Sequence, residues 1–123
     1  MQIRSTLAVA VVTAALATLA PTSAAASSQG STAVTCTGWP TGGFSDEYDY
    51  TVEGQYSYLR KGPYGACDVV LRLGPGWSLD VACYVTNDYG NTWSYAHFNN
   101  GSTRYWGYIY DANLQGNGSS KRC

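Results

Sequence analysis

His97 is the one imidazole in the 123-residue chain and the only candidate general base. Ser94 stands three residues before it. On a strand an odd separation puts two side chains on opposite faces, so this pair cannot meet as nucleophile and base. Asp46, Glu47 and Asp49 gather three carboxylates within four residues, but glycosidase work needs one acid and one base facing each other across a substrate cleft. Three acids on a turn-rich segment read as a solvated edge or as a contact for a basic partner. Gly74-Pro75-Gly76 is followed by neither the helix nor the Lys of a phosphate loop and is read as a turn. No cysteine pair has C-x-x-C spacing and His97 cannot complete a ligand set alone, so no metal and no cofactor is expected. Catalysis is therefore not the expectation.

The aromatic content points elsewhere. The chain holds eleven Tyr, four Trp and two Phe, all after residue 38. Rings on the outside of a small β-domain can stack on sugars, peptides or proteins. The plainer reading of each ring is that Tyr suits half-buried strands and covers a small core. Trp39 and Trp77, beside Pro40 and Gly76, are expected to plug the ends of the domain.

The elements that position these groups follow from the rest of the sequence. Arg4, the apolar run Leu7–Ala20, Pro21 and the small residues Ala24–Ala26 form a signal-peptide pattern over residues 1–26, too short to span a bilayer. Six basic and eight acidic residues follow it, a balance that suggests neither nucleic acid nor an anionic membrane as partner. Export fits the four cysteines, Cys36, Cys67, Cys83 and Cys123, which read as two disulfides in a domain too small to rely on its core alone. Three connectivities are possible. Cys67 and Cys83 flank a short segment with a central turn, and Cys36 and Cys123 lie at the two ends of the mature chain, so 67–83 with 36–123 is the expected pairing.

Short strands separated by Gly, Pro and Asn fill the mature chain. Gln55–Arg60 and Val69–Leu71 have strand composition. In Leu79–Val85 the residues Leu79, Val81, Cys83 and Val85 are expected on one face, with Asp80 and Tyr84 on the other. Thr92–Phe98 and Tyr105–Tyr110 flank a tight turn at Asn99–Ser102. Gly107 inside the last strand marks a close backbone approach or a bulge, and Asp111–Leu114 a single helical turn. Phe44–Val52 is a short strand or an acidic loop. The fold expected is an all-β small barrel of about five strands.

Four segments in order then resemble the bacterial SH3-like (SH3b) domains of exported proteins. They are Leu59-Arg60-Lys61-Gly62-Pro63, Asp80–Val85, Gly90–Ala96, and Trp106–Tyr110 with Asp111–Leu114. The resemblance covers about residues 55–115 and implies an SH3-like barrel there, after an N-terminal extension (27–54) and before a C-terminal tail (116–123) ending in a disulfide Cys. Small exported members also place one Cys after the Gly-Pro loop and one in the central strand, which agrees with a 67–83 bridge. The resemblance implies a groove between the Gly-Pro loop and the closing turn, formed by Tyr58, Tyr64, Trp93 and Tyr110, with Trp93 exposed. It further implies a secreted, monomeric, non-catalytic module that binds cell-wall peptide or glycan, or an extracellular protein. A second expectation is an inhibitor of an extracellular hydrolase presenting Lys61–Gly65, locked by Cys67.

Overall fold

The computed structural model describes residues 33–123. The signal peptide expected over residues 1–26 lies outside the described residues. The rest is all-β: β1 (Tyr48–Tyr50), β2 (Ser57–Arg60), β3 (Val69–Leu73), β4 (Ser78–Thr86), β5 (Thr92–Asn99) and β6 (Arg104–Tyr110), followed by a 3-10 turn at Asp111–Asn113. All six strands belong to one antiparallel sheet in the order β1-β4-β5-β6-β2-β3. Among the described residues no helix is long and apolar enough to cross a membrane.

The sheet must curl. β3 closes one end of the strand order and β4 stands near the other, yet only residues 74–77 join them. Thr51 ties that connection down. Its hydroxyl donates to the Gly74 carbonyl at 2.7 Å and accepts from the Trp77 N–H at 2.8 Å. Inside the curl Leu59, Leu73, Leu79, Val81, Ala96, Ile109 and Leu114 form one core, every member 2% exposed or less. Gly107 lies where β6 meets β2, and a Cβ there would come within 2.7 Å of the Arg60 carbonyl oxygen. The close approach read from the sequence is real, and only glycine fits it.

A bulge in β4 divides the protein's two faces. The β4–β5 register shifts between Val81 and Cys83, and one extra residue flips every later side chain to the other side. Leu79 and Val81 therefore point into the core, whereas Cys83 lies opposite Tyr95 and Val85 opposite Trp93 on the outer face. The unbroken Leu79–Val85 alternation expected from sequence is thus corrected. A second, outer cluster results: Val85, Trp93 and Tyr108, packed by Trp39, Tyr95, Tyr110 and Cys123.

The sixth strand beyond the expected five is β1. Residues 48–50 pair with β4, so the segment read as an N-terminal extension supplies an edge of the same sheet. That edge is itself covered, since Gln115 N–H donates to the Tyr50 carbonyl at 2.8 Å and Val52 N–H to the Asn113 carbonyl at 2.9 Å. Farther along β4 the tail takes over. Tyr84 N–H donates to the Lys121 carbonyl at 2.7 Å, and Cys123 N–H donates to the Tyr84 carbonyl at 2.9 Å. Exposed strand edges invite pairing with other chains, and these two covers reduce that hazard along the β1–β4 side of the sheet.

All four cysteines are in disulfides, but the pairs are Cys36–Cys67 and Cys83–Cys123. The expected 67–83 and 36–123 pairing is overturned by strand order. β5 and β6 stand between β4, which carries Cys83, and β2, which leads into the loop of Cys67. Three inter-strand steps of about 4.8 Å exceed the roughly 7 Å that a disulfide can span between Cα atoms. Cys36 instead lies against the backbone at Gly62 in the Cys67 loop, and the tail brings Cys123 alongside β4. Loops of 31 and 40 residues make each bridge worth about 4 kcal/mol in the chain-entropy model. Two such bonds fit an oxidising compartment.

Candidate functional site

The outer face is a lattice of rings. Cross-strand neighbours pair Trp93 with Tyr110, Tyr95 with Tyr108 and His97 with Trp106. Their ring centroids lie 5.3, 5.1 and 4.4 Å apart, and Trp106 also stacks on Tyr95 at 5.2 Å. Alternation causes this: in both strands every second residue is aromatic or imidazole, so the set shares one side of the sheet.

Residues 36–44 run across this lattice as a strap. The Tyr108 hydroxyl donates to the carbonyls of Pro40 at 2.7 Å and Trp39 at 3.1 Å, and burial pushes its pKa up to about 12. That hydroxyl is therefore a permanent donor. Phe44 lies edge-on to both His97 and Trp106 at 5.6 and 5.7 Å. The Cys36–Cys67 disulfide anchors the near end of the strap, and Ser45 fixes the far end by donating to the Val81 carbonyl at 2.7 Å.

Between strap and sheet lies an open groove of about 350 Å³. Tyr95, Trp106 and Tyr108 line it from the sheet, Trp39 and Thr41 from the strap, and Lys61 from the end of β2. Across the strap a second hollow of about 360 Å³ is lined by Phe44, Tyr48, Ser78, Asp80, His97, Asn99 and Arg104. His97 sits there with Nε2 at 3.2 Å from Asp80 Oδ2. Burial lowers the imidazole's pKa, outweighing the attraction of Asp80, and Arg104 adds to the lowering. Ser94 is on the opposite face, its hydroxyl donating to Asp111 Oδ1 at 2.7 Å inside the fold. No nucleophile–base pair forms from these two residues. Among the described residues no three His, Cys, Asp or Glu side chains gather where they could hold a metal ion.

The four rings expected to bind ligand are dispersed. Trp93 and Tyr110 meet, but Trp93 is 7% exposed and belongs to the outer cluster. The exposed Trp implied at this position is covered here by the rings beside it. Tyr64 is 2% exposed, edge-on to Trp39 and Tyr89, and donates to Asp88 Oδ2 at 2.6 Å. Burial first, and then that carboxylate, raise its pKa. Tyr58 is half-buried on β2 with the Arg60 guanidinium 5.2 Å from its ring. None of the four lines the groove. Its rings are Trp39, Tyr95, Trp106 and Tyr108, and the spacing Trp93-x-Tyr95 with Trp106-x-Tyr108 was the signal that could have found the sheet-side set. Trp39 reaches this groove instead of plugging an end, while Trp77 stacks on Phe98 at 4.9 Å with 40% of its surface exposed. In the Lys61–Gly65 loop Gly62, Pro63 and Tyr64 are buried, leaving Lys61 and Gly65 to solvent.

The acidic segment is not a solvated edge. Asp49 is 5% exposed; its Oδ1 accepts from the N–H groups of Tyr50 at 2.7 Å and Gly116 at 2.8 Å, and Oδ2 from Gly118 at 2.8 Å. Glu47 accepts from Ser120 N–H at 3.0 Å and from the Ser119 and Ser120 hydroxyls. The Ser120 N–H bond chiefly lowers the Glu47 pKa. These carboxylates hold the tail. Asp46 alone of the three is exposed.

No protein-family model, curated protein or solved structure matches the chain.

Proposed function

We propose that this protein is a secreted, non-catalytic binding module that takes a cell-wall glycan or peptide into the groove beneath residues 36–41. The supporting observation is the groove itself, open to solvent, floored by Tyr95, Trp106 and Tyr108 and walled by Trp39. Ring faces with a few fixed polar groups suit sugar rings and peptide planes. The disulfide and the Tyr108 hydroxyl hold the strap in place before ligand arrives, which cuts the ordering cost of binding. Likeness of the Leu59–Pro63 and Trp106–Tyr110 segments to SH3-like wall-binding domains supports the same reading, as do the signal-peptide pattern and the two disulfides.

Co-sedimentation with purified cell walls tests it. The wild-type protein is expected to pellet, and Trp106→Ala to stay in solution. Because Trp106 also packs on Tyr95 and His97, a second variant, Thr41→Trp, fills the groove from the exposed strap and leaves the sheet untouched. Wild-type protein remaining wholly in the supernatant, or Thr41→Trp pelleting as well as wild type, overturns the proposal.

A further inference from the structure

Beside the groove, the outer face of β2 and β3 carries cations alternating with rings. Tyr58 lies opposite Arg72 across the two strands, and Arg60 lies opposite Tyr108, a residue of the groove floor. The Arg60 guanidinium is 5.2 Å from the Tyr58 ring centroid, and that of Arg72 is 4.4 Å from Tyr56. Lys61, exposed, follows directly and lines the groove. Half of the six cations in residues 33–123 thus sit on this one face of a chain whose formal net charge is -1. Among the described residues none of the three is in a salt bridge. Arg60 donates one Nη1 hydrogen to the Cys67 carbonyl at 3.0 Å, which fixes one edge of its guanidinium and leaves its other N–H groups without a protein partner among the described residues. Tyr56 keeps 56% of its surface exposed.

From this surface we infer that the ligand is an anionic saccharide chain bearing carboxylates, which runs out of the groove and across β2 and β3. The inference rests on the groove reading and names its ligand class. Charge is what selects the occupant. Guanidinium forks match planar carboxylates two bonds at a time, and stacked Arg–Tyr pairs hold those forks open toward solvent. Strand geometry sets the spacing: Arg60 and Arg72 are two residues apart along the strands and one strand apart across them, about 8 Å between Cα atoms. Successive carboxylates on a polymer can therefore be met in turn. The sugar rings between them have Tyr56 and the groove rings to lie on.

The experiment compares polygalacturonate with its fully methyl-esterified form, which has the same backbone without the charge, by affinity electrophoresis and calorimetry on the full secreted chain. The acid form is expected to bind at least about tenfold more tightly than the ester and to weaken steeply between low and physiological salt. Arg72→Gln and Lys61→Gln, both at exposed positions, are each expected to weaken it several-fold, whereas Lys121→Gln with Arg122→Gln leaves it unchanged. Melting curves of the variants report whether they remain folded. Equal binding of acid and ester overturns the charge assignment and leaves the groove reading standing. Binding of neither overturns this proposal, while wall sedimentation decides the groove reading separately. Single-stranded DNA bound as tightly as polygalacturonate overturns the assignment to a saccharide.

Discussion

Asp49→Asn is expected to loosen the C-terminal tail without emptying its site. The carboxylate accepts three backbone N–H groups at 2.7–2.8 Å, from Tyr50, Gly116 and Gly118. An amide has the same shape but turns one oxygen into a donor, so at least one of these N–H groups then faces another N–H. The loss is one charge-assisted hydrogen bond plus one stranded buried donor, together about 3 kcal/mol. For a folded region of this size that lowers Tm by roughly 10–20 °C. Thermal unfolding followed by circular dichroism measures the total. Amide exchange at Gly116 and Gly118 locates it, because both should lose protection before the β5–β6 amides do. A variant within about 0.5 kcal/mol of wild type, or one whose Gly116 and Gly118 amides exchange as before, would refute the argument that Asp49 organises the tail.

Other outcomes follow from the same structure. Non-reducing peptide maps should yield linked fragments 36–67 and 83–123, and removing either bridge by paired Cys→Ser changes should cost about 4 kcal/mol by the chain-entropy estimate; a 67–83 fragment would contradict the fold. The folded-state pKa of His97 is depressed, so its contribution is full above the unfolded value near 6.5 and is lost as pH falls through 6.5 toward the folded value. Tm should accordingly drop between pH 7.5 and 5.5 in wild type and stay flatter in His97→Gln. Glu47, also depressed, adds a second loss below about pH 4.5, whereas Asp111, raised by burial, is stabilising when protonated and opposes it. Gly107→Ala should destabilise by about 1–3 kcal/mol, because the new methyl meets backbone at Arg60 and not a movable side chain; an unchanged Tm would contradict the close β2–β6 approach.

Local signals were legible where the physics is local. Alternation in residues 92–98 and 105–110 and the Asn-Gly turn between them identify β5 and β6 because period and turn chemistry lie within a few residues. What depends on strand order was not. Cys67 and Cys83 are near in sequence, yet two strands separate them in space, and no local pattern encodes the β6–β2 pairing that does so. The bulge at Ala82 has the same character, since Leu79-Asp80-Val81-Ala82-Cys83 reads equally well as an unbroken strand. Asp49 looked like surface charge because its partners are backbone amides 67 and 69 residues away, which carry no side-chain signature. The groove was half visible: the ring-rich outer face follows from composition and period, but the strap that selects Trp39, Tyr95, Trp106 and Tyr108 over Tyr58, Tyr64, Trp93 and Tyr110 is placed by the Cys36–Cys67 bond and the Tyr108 hydroxyl.

Binding in the groove is most directly read from the tryptophan indole resonances during titration with soluble cell-wall fragments. Trp39 and Trp106 should shift in a saturable way while Trp77, stacked on Phe98 and outside the groove lining, and the covered Trp93 hold still. Silence at Trp39 and Trp106, or shifts confined to Trp77, would contradict the account.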